Sequence, residues 1–266
     1  MSHSSDTEVL ENDANKHWVH IDIRGSYAAF EENLLGIPGH PIVVVTGEKF
    51  LSAINIPARK IYPWITRDYL FNQEKDIYQI PGLHVVNADS HRMKVDYQSE
   101  RDRLYKLCNF IFEEGHHMTP TKSDDLSVQV DGDLNHALRI GSKLQNIYRK
   151  NGYLSAFGVS ISPPYSHMAC WAGKDFGGFY IYTREDVVEK LFPLDVEEFP
   201  GIAEVRADKL RDDGFLTIGD IASANLRDIQ KLFPRKEARK EPGSLAESIY
   251  FGTKARYPAF EQLTML

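Results

Sequence analysis

Three aspartates in this sequence lie in surroundings that suit metal-assisted phosphoryl transfer. Asp22 lies between apolar residues in "HIDI", where a carboxylate is costly unless it is paired or bound to a metal. Asp124 and Asp125 stand side by side at the start of "DDLSVQV". Carboxylate oxygens are the ligands that Mg²⁺ prefers, and two metals about 4 Å apart commonly move phosphoryl groups. The alternative, that Asp22 caps a turn and the pair simply starts a strand, stays open at this point.

The segments around these aspartates predict the strands of one α+β sheet. The segment after Asp125 alternates like a half-buried strand, with apolar positions at Leu126, Val128 and Val130 and polar ones between them. Further strands are predicted at "HWVHIDI", "PIVVVTG", "LSAFGVSIS" and "GGFYIYT". The second of these is apolar throughout, which is typical of a central strand. We expect an antiparallel-type sheet with its helices packed on one face.

Helical patterns separate these strands. Apolar residues at helical spacing precede Gly115, and "LNHALRIGSKLQNIYRKNG" forms another helix that ends at Gly152. The interval from Ala58 to Ala88 is irregular and predicts a small, weakly ordered insertion. After Leu191 the pattern changes to short helices, which predicts a second, all-helical subdomain.

Within that subdomain, "FPGIAEVRADKLRDDGFLTIGDI" places a Pro-Gly turn between two helices. The arrangement resembles a helix-hairpin-helix element, whose hairpin offers backbone N–H groups to a DNA phosphate without reading bases. Gly201 and Ala203 would form this contact. Ala203 stands where the element usually has a second glycine, which limits how near a phosphate can come. Two packed helices joined by a proline turn are the alternative.

Composition bounds the class of protein. The length of 266 residues and the hydrophobic fraction of 42% predict a globular, soluble protein of one large or two unequal domains. It has no run of about 18 apolar residues that would predict a membrane span, and the polar first 16 residues are expected to be a disordered tail. Cys108 and Cys170, without metal-site spacing, fit a reducing cytoplasm. The net charge of −7 excludes bulk electrostatic binding of nucleic acid, so any DNA contact must be local.

The order of these parts resembles the catalytic core of a Y-family DNA polymerase of the translesion, DinB/UmuC type, over roughly Trp18 to Arg256. "HIDIRGSYAAFEE" is similar to the family's first motif, an acid followed five residues later by an aromatic and then a small residue. "KSDDLSVQV" resembles its Ser-Ile-Asp-Glu strand, "ARK" its fingers motif, and "FGVSIS" the strand before its basic helix.

The resemblance implies a DNA-directed DNA polymerase of DNA damage tolerance, acting on a primer-template and a deoxynucleoside triphosphate. Tyr27 would be the steric gate that rejects the ribose 2′-hydroxyl, and Arg59 would reach the triphosphate. The implied catalytic carboxylates and Mg²⁺ ligands are Asp22, Asp124, Asp125 and the backbone carbonyl of Ile23.

Four positions depart from the family pattern. Ala53 and Ile56 stand at threonine and tyrosine positions of the fingers motif, and the lysine of the helix after "FGVSIS" aligns with Ala169. Each lost charge-assisted contact is worth on the order of 1.5–3 kcal/mol, so nucleotide affinity is expected to be lower by several orders of magnitude. Arg24 replaces a common acid and could pair with Asp22 in place of a metal.

The end of the sequence carries a second recognition motif. Y-family polymerases usually continue into a basic little-finger domain, which is absent from this sequence. The last residues resemble the peptide by which bacterial polymerases bind the sliding clamp, with Gln262, Leu263, Met265 and Leu266 as the anchors. The expected layout is a tail (1–16), palm (17–57 and 93–191), fingers (58–92), helix-hairpin-helix thumb (192–256) and C-terminal tail (257–266).

Two functional hypotheses follow. The first is an active translesion polymerase in the cytoplasm, without membrane contact, and the retention of all three acids favours it. The second is a catalytically weak or inactive polymerase-like adaptor that binds the sliding clamp and recruits a mutasome partner or another repair subunit. The acidic charge, the three missing phosphate donors and Ala203 favour the second.

Overall fold

Strand-period and helix-period segments form a mixed α+β fold. The structure is a computed structural model that describes residues 15–47, 50–66, 77–120, 125–175, 178–233, 249 and 252–253. Within them the strands are β1 (Lys16–Ile23), β2 (Ile42–Thr46), β3 (Phe50–Ile54), β4 (His84–Asn87), β5 (His117–Pro120), β6 (Asp125–Asp131), β7 (Ser155–Ser160) and β8 (Phe179–Ile181). The helices are α1 (Ser26–Leu34), α2 (Ile56–Ile61), α3 (Tyr97–Leu107), α4 (Phe110–Glu113), α5 (Leu134–Lys150), α6 (Pro163–Asp175), α7 (Arg184–Asp186), α8 (Glu204–Asp212), α9 (Ile218–Ser223) and α10 (Leu226–Leu232).

The strands form two sheets. Five strands make one sheet in the order β5-β6-β1-β7-β8, and three make another in the order β3-β2-β4. The apolar strand at "PIVVVTG" is central, as predicted, but it is central in the three-stranded sheet. The prediction of one sheet is therefore wrong.

The pair β7 and β8 is parallel, with Phe157 beside Phe179 and Val159 beside Ile181. The expected antiparallel-type sheet is therefore wrong for this pair. Helix α6 connects the two strands, and such a crossover returns the chain to the end of the sheet where it started.

Gly158 brings α6 close to this pair. A Cβ atom at Gly158 would lie 2.1 Å from the amide nitrogen of Cys170 and 2.3 Å from the carbonyl oxygen of Ser166. Only glycine permits the helix to lie this near the strand.

The interval from 58 to 88 is more regular than the sequence predicted in its described parts. It contains most of α2, a 3₁₀ turn at Ile77–Gln79 and β4, which pairs in parallel with β2. The sequence did not predict this order for two reasons. Aromatic, proline and charged residues are mixed in the interval, and β4 is only four residues long and shows no clear alternation.

The chain divides into two compact units. The first unit comprises Met1–His20, Ser127–Gly141 and Phe157–Leu266, and the second comprises Ile21–Leu126 and Ser142–Ala156. A core that includes Tyr165, Phe199 and Leu210 holds the short helices of the first unit together. Buried residues of the three-stranded sheet and α2 form a core in the second unit.

The segment after Leu191 is helical in its described part, as predicted, with a 3₁₀ turn at Val196–Glu198 before α8, α9 and α10. None of the helices in the described ranges has the length and hydropathy needed to cross a bilayer. The domain boundaries within the predicted layout stay predictions.

Candidate active site

Strands β1 and β6 are neighbours, and two contacts fix their relative direction. The amide nitrogen of Gly132 donates to the carbonyl oxygen of Asn15 at 2.7 Å. The Nδ1 atom of His20 lies 2.9 Å from the Oγ atom of Ser127. Residue numbers therefore rise along β1 while they fall along β6, and the two strands are antiparallel.

This register places Asp22 opposite Asp125. Each lies two residues beyond the contact between His20 and Ser127, and side chains two residues apart share a face of a strand. Directly opposed residues have Cβ atoms about 4.5–5.5 Å apart. Asp22 is 9% exposed and Asp125 is 4% exposed, so two carboxylates meet in a buried place.

The buried phenol of Tyr148 lies within electrostatic range of both aspartates. Tyr148 of α5 is 1% exposed. Its burial raises the pKa of the hydroxyl well above the ordinary value, and the charges of neighbours that include Asp125 and Asp22 raise this pKa further. Like charges directly opposed on a sheet destabilise it, and a divalent cation with a preference for oxygen would offset their repulsion. The donor set therefore fits such a cation.

The structure describes only one of the other two predicted metal ligands. Asp124 lies outside the described residues. Ile23 is the last residue of β1 and its side chain is 2% exposed. The structure thus brings Asp22 and Asp125 together, and the role of all four residues as metal ligands stays a prediction.

A tight turn connects Asp22 to the aromatic residue predicted as the steric gate. Gly25 has φ of +82° and Ser26 has φ of +22°, both in the left-handed region. A Cβ atom at Gly25 would lie 2.9 Å from the carbonyl oxygen of Ile54, so glycine is required here. Tyr27 follows in the first turn of α1, half-buried.

Arg59 lies on α2, whose start is fixed by Asn55. The Oδ1 atom of Asn55 accepts from the amide nitrogens of Ala58 at 3.0 Å and Ile42 at 2.9 Å. The Nε atom of Arg59 donates to the carbonyl oxygen of Ile54 at 3.2 Å. Sequence reasoning missed Asn55, although an asparagine two residues before a proline is a recognised N-cap signal.

The cations near the first motif line two different clefts of the second unit. Arg59 lines a cleft of 420 Å³ whose wall includes Ala53 and Ile65. Arg24 and Lys60 line another cleft, of 410 Å³. Among the ion pairs of the described residues, none joins Arg24 to Asp22, so the alternative of an internal pair finds no support.

Position 169 does not suit a phosphate ligand. Ala169 is fully buried, and its carbonyl carbon would lie 2.5 Å from a Cβ atom at Gly158, so this side of α6 packs on β7. His167 of the same helix stacks on His20 of β1 with ring centroids 4.3 Å apart. His167 therefore faces the strand that carries Asp22, and sequence reasoning missed it because it aligned the family's lysine with Ala169.

The predicted phosphate-binding hairpin lies before α8. Gly201 has φ of +94°, and its carbonyl oxygen accepts from Nη1 of Arg206 at 2.6 Å. Ala203 is the N-cap residue of α8 and has no side-chain group to cap it. The DNA contact of these two residues stays a prediction. The proposed clamp anchors, Gln262, Leu263, Met265 and Leu266, lie outside the described residues.

Known proteins resemble this chain in sequence and in fold. No protein-family model matches the chain. It is 24% identical over 224 residues to DNA polymerase IV of Streptococcus pyogenes, an alignment that covers 80% of this chain and 58% of that protein. The DNA repair protein Rev1 of Drosophila melanogaster is 22% identical over 147 residues, which are 53% of this chain and 15% of Rev1.

Solved structures extend the likeness to nearly the whole fold. A ternary complex of the polymerase Dbh superposes with a TM-score of 0.65 at 20% identity, covering 91% of this chain and 68% of that one. DinB from Sulfolobus solfataricus superposes with a TM-score of 0.58 at 21% identity, covering 81% and 62%. The chain has the fold of a Y-family DNA polymerase core. This core spans 58% of the length of the matched DNA polymerase IV.

Proposed function

We propose that this Y-family core is a DNA-directed DNA polymerase that acts in DNA damage tolerance in the cytoplasm, by translesion synthesis. It would add deoxynucleotides to a primer on a DNA template with two Mg²⁺ ions. The observation that carries the proposal is the antiparallel register of β1 and β6, which opposes Asp22 and Asp125.

Asp22, Asp124, Asp125 and the carbonyl group of Ile23 would hold the metal. When bound, Mg²⁺ supplies activation of the attacking primer oxygen and stabilisation of the leaving one. The protein contributes a fixed donor set, because both described carboxylates lie on adjacent strands of a sheet and not on loops. Such rigidity keeps the geometry that catalysis requires.

Tyr27 sets the sugar preference in this proposal. Its ring stands in the first turn of α1, five residues after Asp22, at the distance along the chain that the family's first motif has. A ring held there would collide with a ribose 2′-hydroxyl and leave room for a deoxyribose. Discrimination would be steric, so it depends on how firmly the ring is held.

Arg59 binds the triphosphate. Its Nε atom donates a hydrogen bond to the carbonyl oxygen of Ile54, which orients the guanidinium plane. The terminal nitrogens can then form the paired contacts that phosphate favours. Leu51, Ala53 and Ile65 contribute apolar side chains to the same cleft. We therefore expect weaker nucleotide binding than a full set of donors would give.

Primer extension by the purified chain tests the proposal. In Mg²⁺ or Mn²⁺ we expect a labelled primer to be extended with deoxynucleotides according to the template, and chelation with EDTA should abolish the extension. An Asp124→Ala variant purified in parallel is the control. Extension that survives this replacement would come from a contaminant, and a wild-type chain that extends nothing would contradict the proposal.

The DNA contact of the thumb is part of the same proposal. Backbone N–H groups around Gly201 and Ala203 would meet a phosphate of the duplex without reading its sequence. Gly201 suits a close approach because, apart from its chain neighbours, no atom of the described residues lies within 4 Å of the position its Cβ would take.

A second candidate function is a polymerase-shaped adaptor. Ala53 and Ile56, which stand where the family pattern has phosphate donors, and the net charge of −7 favour it. The two replacements weaken the binding of nucleotide, and the charge weakens the binding of DNA. Such an adaptor would bind the sliding clamp through Gln262, Leu263, Met265 and Leu266 and recruit a repair or polymerase subunit.

The adaptor makes a prediction about the C-terminal motif. Leu263→Ala should weaken binding to a bacterial sliding clamp by about tenfold or more, because a hydrophobic anchor that fills a pocket carries much of the energy of a short peptide. Thr264→Ala, between the anchors, should change the affinity little. Biolayer interferometry with immobilised clamp measures both, and equal affinities for the wild type and Leu263→Ala would contradict the role.

A further inference from the structure

Glu31 is a fully buried carboxylate that the polymerase reaction, as proposed above, does not use. It lies on α1, one turn after Tyr27, and is 0% exposed. The Nη1 atom of Arg92 donates to both of its oxygens, at 2.8 Å and 3.1 Å. The hydroxyl of Tyr97 donates to its Oε1 atom at 2.7 Å. A buried charge that accepts three hydrogen bonds from two donor groups is a rigid junction, since any displacement would leave the carboxylate uncompensated.

The junction of Glu31, Arg92 and Tyr97 contacts the Tyr27 ring, which is the predicted steric gate. The ring of Tyr97 is stacked on that of Tyr27, with centroids 4.9 Å apart and an interplanar angle of 16°. Tyr97 is 1% exposed, so its ring is fixed on one edge by the hydroxyl bond to Glu31 and cannot turn away into solvent. Burial first, and then the bond to Glu31, raise the pKa of Tyr97 above its ordinary value, so the phenol stays a donor at neutral pH.

A second set of the same three residue types provides a comparison in the same unit. Tyr153 is also 1% exposed, and its hydroxyl donates to Glu100, which is paired with Arg103. Its ring meets the edge of Phe30 at 5.6 Å. The two tyrosines thus share chemistry and burial, and in the described ring contacts only Tyr97 stacks on Tyr27.

We propose that Glu31, Arg92 and Tyr97 are positioning residues for sugar selection, which hold the Tyr27 ring in the place where a ribose 2′-hydroxyl would collide with it. The inference rests on the proposed polymerase function. Arg92 and Tyr97 hold Glu31 from a different part of the chain. The surface behind the Tyr27 ring therefore comes from two chain segments, and we expect it to shift little. A small displacement of a selecting group can change a rate by orders of magnitude.

The test compares two buried tyrosines. For wild type, Tyr97→Leu, Tyr97→Phe and Tyr153→Leu, single-nucleotide insertion gives kcat/KM for a deoxynucleoside triphosphate and for its ribonucleotide counterpart. We expect the ratio of the two values to fall by about tenfold in Tyr97→Leu, because the stack is lost, and to change little in Tyr153→Leu. Tyr97→Phe keeps the stack and should retain most of the ratio.

Each outcome decides the inference. Equal ratios in Tyr97→Leu and Tyr153→Leu would overturn it, because destabilisation alone would then explain the change. If the wild type inserts no nucleotide, the proposed function fails, and the affinities for dATP and ATP are measured by calorimetry in the same variants. A preference for dATP that only Tyr97→Leu lowers would sustain the inference, and equal wild-type affinities would overturn it.

Discussion

Asp22→Asn should lower the rate of primer extension by about a thousandfold. The replacement keeps the size of the side chain and removes its charge, and loss of one fixed electrostatic group at a reacting centre commonly costs about 10²–10³ in rate. The effect should be at the upper end here because Asp22 stands opposite Asp125, and one carboxylate alone holds a divalent ion poorly.

Single-turnover extension measures this effect, and circular dichroism checks that the variant is folded. Asp131→Asn, at the other end of β6 and exposed, is the matched control and should extend at close to the wild-type rate. If Asp22→Asn extended primers as fast as Asp131→Asn does, the opposed carboxylates would not be the catalytic pair.

Arg92→Ala should lower the free energy of unfolding by about 3 kcal/mol. The replacement leaves Glu31 fully buried with one donor, Tyr97, and removal of one partner of a buried ion pair costs about 3–5 kcal/mol. The value should lie at the low end because the Arg92 side chain is 32% exposed and water can partly replace it.

Urea denaturation followed by tryptophan fluorescence measures this free energy. Lys231→Ala is the control, because the 2.7 Å between Lys231 and Asp228 is close to the 2.8 Å between Arg92 and Glu31, but both members of the Lys231 pair are exposed. It should leave the free energy of unfolding almost unchanged, as exposed pairs usually do. Equal losses in the two variants would show that burial of Glu31 does not matter to stability.

The sequence by itself determined five of the eight described strands and their order. The strand of Asp22, the strand that begins at Asp125 and the helix before Gly152 follow from alternation, helical spacing and glycine stops, which are local properties. The family resemblance rested on the same short motifs. The sequence did not predict the parallel pairing of β7 with β8 or the strand β4. Pairing direction and short strands depend on residues far away in the chain.

Only the tertiary structure decided which of two identical neighbours is buried. Glu31 and Glu32 are adjacent and chemically the same, and no pattern in the sequence distinguishes their roles. Successive residues of a helix differ by a rotation of about 100°. Glu31 therefore meets Arg92 and Tyr97 in the interior, while Glu32 accepts from Gly39 at 2.6 Å and from Asn55.

The opposition of Asp22 and Asp125 has the same origin. Each was identifiable as an acid in a strand, but a shift of one residue in the pairing of β1 and β6 would have moved one of them to the other face. The contacts of Asn15 with Gly132 and of His20 with Ser127 fix that register. Local sequence patterns thus determined the strands, and backbone and side-chain contacts between residues more than a hundred positions apart determined their alignment.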